Sequence, residues 1–275
     1  MQIALVQLPV YYRDPVRNQV YAGKSIYAAA THGAQVVLLP ELWAVGYDFP
    51  AGLRMASRLD EGPFGWMATW AREARVWVGG SHLERGDDGI YNTFALYAPD
   101  GRRVAAYRKI HLFGPLGEPR WLRAGMRPVL APTPWGPIGL AVCYDLRFPE
   151  LFRVYAQQGA VAIWVVAAWP RARIEHWRQL LRARALENAR PVVGVNRVGM
   201  DVSAAFGGAS MAVAAEGTLL AEAPVAQAHL LHITLPLGDA WRTRRAFDPV
   251  RESPWRIQGP ILRTRVREGQ SYHVG

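Results

Sequence analysis

Few residues in this chain could carry covalent chemistry. Its 275 residues include one cysteine, Cys143, and two lysines, Lys24 and Lys109, against thirty arginines. Cys143 closes the apolar run Gly139-Leu-Ala-Val-Cys143, and Tyr-Asp-Leu-Arg-Phe-Pro149 follows. A buried strand therefore ends at a thiol, turns tightly, and feeds a helix that opens on proline. Such a turn lifts a nucleophile to the carboxyl edge of a sheet, where backbone N–H groups can point at a developing oxyanion. A second apolar run, Gln35 to Pro40, delivers Glu41, and a short strand ending at Tyr107 delivers Lys109 as it breaks down into loop. A carboxylate and an ammonium at the rims of buried strands cost desolvation unless they pair or work. Taken singly, Cys143 fits an inert core thiol, Glu41 a helix cap and Lys109 a solvated side chain. Taken together they supply a nucleophile, a base and a cation.

The elements that must position these residues follow from apolar periodicity. Strands are predicted at Gln2–Leu8, Gln35–Leu39, Val76–Leu83, Tyr91–Ala98, Arg103–Tyr107, Ile138–Val142, Val161–Val166 and Val192–Asn196, then at Ala209–Ala214, Thr218–Ala223 and His229–Leu235. Helices are predicted at Val16–His32, Phe64–Arg75, Pro149–Gln157 and Ile174–Ala189. Alternating β and α segments with inserted hairpins imply a layered α/β sandwich with mixed sheets. No linker, repeat or low-complexity tract divides the chain, so a single domain is expected over residues 1–250. Residues 251–275, rich in Arg and Pro, are expected to form an extended arm of that domain.

Composition narrows the classes. One thiol excludes an intramolecular disulfide, a Cys-x-x-Cys redox pair and a multi-cysteine zinc site, so no metal is expected. No apolar run reaches the ~18 residues of a spanning helix. The N-terminus carries no basic leader region, so an intracellular, cytoplasmic protein with no membrane partner is expected. The net charge of +10 comes from scattered arginines. No zinc-finger, basic-zipper or aromatic-rich single-strand-binding pattern accompanies it, so no nucleic acid is expected as partner. No P-loop or G-x-G-x-x-G segment appears, and no cofactor is implied.

The three chemistry-bearing segments, Leu39-Pro-Glu-Leu-Trp-Ala-Val-Gly-Tyr47, Tyr107-Arg-Lys-Ile-His-Leu-Phe113 and Cys143-Tyr-Asp-Leu-Arg-Phe-Pro-Glu-Leu151, resemble those of the nitrilase superfamily of carbon–nitrogen hydrolases in order and spacing. The resemblance extends over roughly residues 1–235 and implies a four-layer α-β-β-α sandwich with a Glu41–Lys109–Cys143 triad. It also implies a second glutamate after the lysine, a slot that Glu118 fits, and an oxyanion contact from the Tyr144 backbone N–H. Val165-Val-Ala-Ala-Trp-Pro170, with the stretch His176 to Asn188 and Gly194-Val-Asn-Arg-Val-Gly199, is similar to the ω-amidase-like branch. That branch hydrolyses the terminal amide of short dicarboxylic monoamides such as 2-oxoglutaramate and 2-oxosuccinamate. Phe206-Gly-Gly-Ala-Ser210 and Ala215-Glu-Gly217 depart from the Gly-His-Ser and Asp-Pro-x-Gly of many relatives, which leaves the subfamily open.

A substrate carboxylate would call for arginine. Arg173 is the first candidate, while Arg147 reads as a structural ion-pair former. Tyr47, Trp169 and Trp121 are candidate pocket walls. His111 reads as a structural hydrogen-bonder, His176 as an interface residue, and Ser210 in Gly208-Ala-Ser-Met-Ala212 as structural despite its near match to a serine elbow. Deaminated glutathione amidase, nitrilase and N-carbamoyl hydrolase remain alternative activities, and a catalytically silent binding or regulatory protein and a basic nucleic-acid-binding protein are the alternatives from other classes. The resemblance also implies a homodimer or higher homo-oligomer, paired through the helices around Pro149–Gln157 and Ile174–Ala189.

Overall fold

Helix starts follow local chemistry. Asp14 accepts the Arg17 N–H and Pro15 takes the first helical position, where its missing N–H costs nothing. In chain order the computed structural model places β1 (Gln2–Gln7), α1 (Pro15–Thr31), β2 (Val36–Leu38), α2 (Phe49–Gly52), α3 (Gly62–Ala74), β3 (Trp77–Arg85), β4 (Ile90–Tyr97) and β5 (Arg103–Arg108). Next come α4 (Glu118–Trp121), β6 (Val129–Ala131), β7 (Ile138–Val142), α5 (Pro149–Gln157), β8 (Ala162–Ala167), α6 (Ile174–Asn188) and β9 (Val192–Asn196). The remainder is β10 (Val198–Met200), β11 (Ala205–Gly207), β12 (Met211–Val213), β13 (Leu219–Glu222), β14 (His229–Thr234), α7 (Leu237–Ala246), α8 (Pro249–Glu252) and β15 (Leu262–Arg263). The structure describes residues 1–202, 204–257 and 262–263.

Two mixed sheets carry the architecture, one of six strands in the order β14-β1-β2-β3-β4-β5 and one of seven in the order β13-β12-β9-β8-β7-β6-β15. In the first, β1, β2 and β3 run parallel and the flanking pairs antiparallel. In the second, β7, β8 and β9 form the parallel centre. Ile3, Leu5, Val36, Leu38, Phe94 and Leu96 of the first sheet share one buried cluster with Leu140, Val142, Ile163 and Val165 of the second. The opposite face of the first sheet, through Ala4, Val6 and Val37, packs with Ala22 and Ile26 of α1 and Phe64 and Met67 of α3. Helices α5 and α6 cover the second sheet. Gly139 on β7 and Gly194 on β9 permit that approach, since a Cβ at either would lie 2.7 Å from Tyr155 or Trp177. The result is a single-domain α-β-β-α sandwich, as expected.

Several strands were not legible in the pattern. β6, β10 and β11 are three residues each, too short for alternation to declare itself. The strand expected at Ala209–Ala214 shrinks to Met211–Val213, because Gly208 and Ala209 both take positive φ and turn the chain. Helix α7, residues 237–246, was also missed, its polar sequence offering no apolar stripe. Arg251 and Glu252 of the expected arm close helix α8 instead. Residues 253–257 run on without regular structure, tied to α5 by Gln157, which donates to the Trp255 carbonyl and accepts from the Ile257 N–H. The rest of the expected arm, apart from β15, lies outside the described residues.

Candidate active site

Glu41, Lys109 and Cys143 each follow the carboxyl end of a strand. Glu41 lies three residues past β2, Lys109 directly follows β5, Cys143 directly follows β7, and Ala168 directly follows β8. Two of these exits need left-handed backbone. Cys143 has φ +46° and Leu42, beside Glu41, has φ +48°, a conformation that costs about 1–2 kcal/mol in a non-glycine residue. The Leu42 turn is held by its N–H donating to Ser81 Oγ at 3.1 Å. Strain at a strand end that also carries a thiol is the geometry of a nucleophile elbow.

A buried charge network joins these ends. Lys109 Nζ donates to Glu41 Oε1 at 2.8 Å and to Glu118 Oε1 at 2.7 Å, with all three side chains fully buried. Glu41 Oε1 also accepts from Asn92 Nδ2 at 2.8 Å, and its Oε2 from the Ala168 N–H at 2.8 Å. Glu118, at the first position of the one-turn α4, accepts the Tyr47 phenol at 2.9 Å on Oε1 and the Phe113 N–H at 2.6 Å on Oε2. The Cys143 thiol lies within hydrogen-bonding reach of the Glu41 carboxylate and 3.7 Å from the Ala168 carbonyl. Burial pushes the thiol well above its usual range and Glu41 adds to this, with Lys109 opposing. The resting sulfur is therefore protonated. Burial alone would lower the Lys109 ammonium, but the Glu118 and Glu41 carboxylates outweigh it and hold the charge on. Glu118 is itself raised by burial, against the pull of Lys109.

The elbow is braced from beneath by Asp145, which the sequence reading did not single out. Its buried carboxylate accepts the Tyr107 hydroxyl (2.8 Å), the Val142 N–H (2.9 Å), the His111 N–H (2.9 Å) and His111 Nδ1 (2.8 Å). One side chain thus ties the cysteine turn to the lysine segment. His111, stacked 3.6 Å from Phe148, is a structural hydrogen-bonder, as read from sequence. Asn92 was also missed. Its signal was a polar pair, Asn92-Thr93, inside an otherwise apolar strand.

Above the thiol opens a narrow pocket walled by Phe113, Tyr144, Arg147, Trp169, Pro170 and Arg173. Tyr144 is the second residue of a 3-10 turn over Cys143–Arg147, so its N–H has no acceptor within that turn. Trp169 and Arg173 line this pocket together with Cys143. Arg147 needs correction. It forms no ion pair among the described residues but lies 5.0 Å over the Trp169 ring and 3.1 Å from His176 Nδ1, facing the pocket. Arg173 likewise has no carboxylate partner there. Tyr47 is not a wall of this pocket, its phenol being engaged by Glu118, and Trp121 projects outward, 39% exposed. Ser210 is buried, its Oγ donating to the Asn196 carbonyl and accepting the Asn196 N–H, which makes it structural. Among the described residues, no group of three or more His, Cys, Asp or Glu side chains could hold a metal ion. No helix there is long and apolar enough to cross a membrane.

Comparison with known proteins agrees with this geometry. The chain is 34% identical over 243 residues to a 2-oxoglutaramate amidase of Paenarthrobacter nicotinovorans, covering 83% of this chain and 82% of that protein. Its fold is similar to that of a carbon–nitrogen hydrolase superfamily protein of Xanthomonas campestris that carries an arsenic adduct in its active site (TM-score 0.87, 29% identity, 94% and 99% of the two chains). It is also similar to an amidase variant from Nesterenkonia sp. AN1 whose active site cysteine has added acrylamide (TM-score 0.79, 28% identity, 90% and 100% of the two chains). The family model for carbon–nitrogen hydrolases matches residues 2–245, and the chain belongs to that family.

Proposed function

We propose that the chain hydrolyses the terminal amide of small carboxylate-bearing amides, of the 2-oxoglutaramate and 2-oxosuccinamate type, to acid and ammonia. The observation that carries this reading is a buried Lys109 held between Glu41 and Glu118, with the thiol beside Glu41. Cys143 Sγ attacks the amide carbon while its proton passes to Glu41, so a full thiolate never has to form beside two carboxylates. The oxyanion is met by the Lys109 ammonium and the Tyr144 N–H. Glu41 returns the proton to the departing nitrogen, the C–N bond breaks, and ammonia leaves a thioester on Cys143. Water then gives a proton to Glu41 and its oxygen to the carbonyl. The acid departs, and the thiol regains its proton. No step asks for a cofactor.

Selectivity for an anionic substrate rests on Arg173 and Arg147, two guanidiniums at the pocket without carboxylate partners among the described residues. Trp169 holds the Arg173 turn, its indole N–H donating to the Arg173 carbonyl at 2.8 Å. Beyond Phe113, Pro170 and Arg173 the pocket meets a wider cleft that Arg171 also lines, which favours a second reading with longer anionic amides such as deaminated glutathione. A coupled ammonia assay across 2-oxoglutaramate, 2-oxosuccinamate, deaminated glutathione, a simple nitrile and an N-carbamoyl amino acid separates the readings. The dicarboxylic monoamides should give the highest kcat/KM. Activity confined to the nitrile or the carbamoyl compound would overturn the assignment.

The same reading places the enzyme in the cytoplasm and pairs copies through α5 and α6. Light scattering of the purified chain should give twice the monomer mass or a multiple of it.

A further inference from the structure

Behind the network lies a cation that the reaction above does not use. Arg197, directly after β9, is fully buried. Its Nη1 meets Asp201 Oδ2 at 3.1 Å, its Nη2 donates to the Val10 carbonyl at 2.8 Å, and its Nε reaches the Val198 carbonyl at 3.3 Å. The guanidinium lies 4.0 Å over the Phe206 ring. Phe206 in turn stacks on Tyr47, with centroids 6.2 Å apart and planes 18° from parallel. The guanidinium also packs on Gly46, where a Cβ would lie 2.9 Å from Nη1. Gly46 and Phe206 are thus the backbone and ring supports of Tyr47, whose phenol donates to Glu118. The Arg197 backbone takes part as well, since its N–H and that of Glu41 both donate to the Ala167 carbonyl.

We infer that Arg197 is a positioning residue for the proposed amidase chemistry: through Gly46, Phe206 and Tyr47 it fixes Glu118 on Lys109. A core ion pair with no further duty would be an expensive choice, because a buried guanidinium and carboxylate of this kind are often replaceable by apolar side chains without loss of stability. Among the described residues, the titratable groups facing Arg197 are Asp201, Tyr47 and Glu41. Those facing Glu41 are Lys109, Glu118, Cys143, Tyr47 and Arg197. Removing Arg197 takes away the support of Gly46 and of the Phe206–Tyr47 stack, so the hold on Glu118 beside Lys109 loosens.

The inference rests on the amidase reading, so the test has two readouts. In Arg197→Met, kcat per alkylatable thiol should fall about tenfold with KM within about twofold. Arg197→Lys should lose less of kcat than Arg197→Met. The pH profile of iodoacetamide alkylation of Cys143, which needs no substrate, should also move in Arg197→Met. Should that variant fail to fold, Phe206→Leu breaks the same relay and should lower kcat several-fold with little change in KM. A lowered melting temperature with the alkylation profile and kcat unchanged would reduce Arg197 to a structural residue, as would an unaffected kcat in Phe206→Leu. Absence of ammonia release from the unmodified enzyme would instead strike the amidase reading, leaving the alkylation profile to judge Arg197.

Discussion

Lys109 is the residue on which the site's charges balance. Two buried carboxylates share one ammonium, so the cluster would carry an excess negative charge at the moment a thiolate formed. Burial first, and then these carboxylates, raise the thiol, so its proton must move as the C–S bond forms. Lys109→Met should cost roughly 10²–10³-fold in kcat, the price of losing a preorganised oxyanion partner. Lys109→Arg should rescue little, since a planar fork cannot occupy the position of a compact ammonium held between two carboxylates. Steady-state ammonia release checks both. Asn92→Ala removes one charge-assisted hydrogen bond from Glu41 and should lower kcat about tenfold or more. Glu41, Lys109 and Cys143 were legible in the sequence because each stands alone at the end of an apolar run. Asn92, Asp145 and Arg197 were not, because their partners lie across the fold. Arginine is too common in this chain for any one to stand out.

At the scale of elements, four strand ends of two sheets meet at one point, and two features keep them there. Asp145 joins the turn after β7 to the segment after β5 through four accepted hydrogen bonds. Asp145→Ala strands those donors in the interior and should destabilise the fold by about 3–5 kcal/mol in urea titration, with Asp145→Asn intermediate. Close packing of α6 on β9 is the second feature. Gly194→Ala would press a methyl into the Trp177 ring and should cost about 1–3 kcal/mol. Long strands and helices with strong periodicity were readable to within a few residues. Three-residue strands carry too few positions to show a period, and the polar α7 has no apolar stripe to mark it.

Over the whole molecule, a buried histidine sets a pH dependence apart from the active site. His82 on β3 is fully buried against Phe64, with Nε2 at the Met55 carbonyl, and burial lowers its pKa to about 4. An unfolded chain takes up that proton near pH 6.5 while the folded one resists until about 4. Stability from this group is therefore present above pH 6.5 and lost as pH falls through that window, by about 3 kcal/mol. Unfolding free energies of the wild type at pH 7 and pH 4.5 should differ by more than those of His82→Phe. The scattered arginine charge, by contrast, says little about partners. The central claim concerns one bond, the thioester on Cys143. Intact-protein mass spectrometry of acid-quenched enzyme turning over 2-oxoglutaramate should show an adduct equal to the substrate less ammonia. That adduct should be absent in Cys143→Ala, whose ammonia release should be at least about a thousandfold lower. Near-normal ammonia release from the alanine variant would contradict the account.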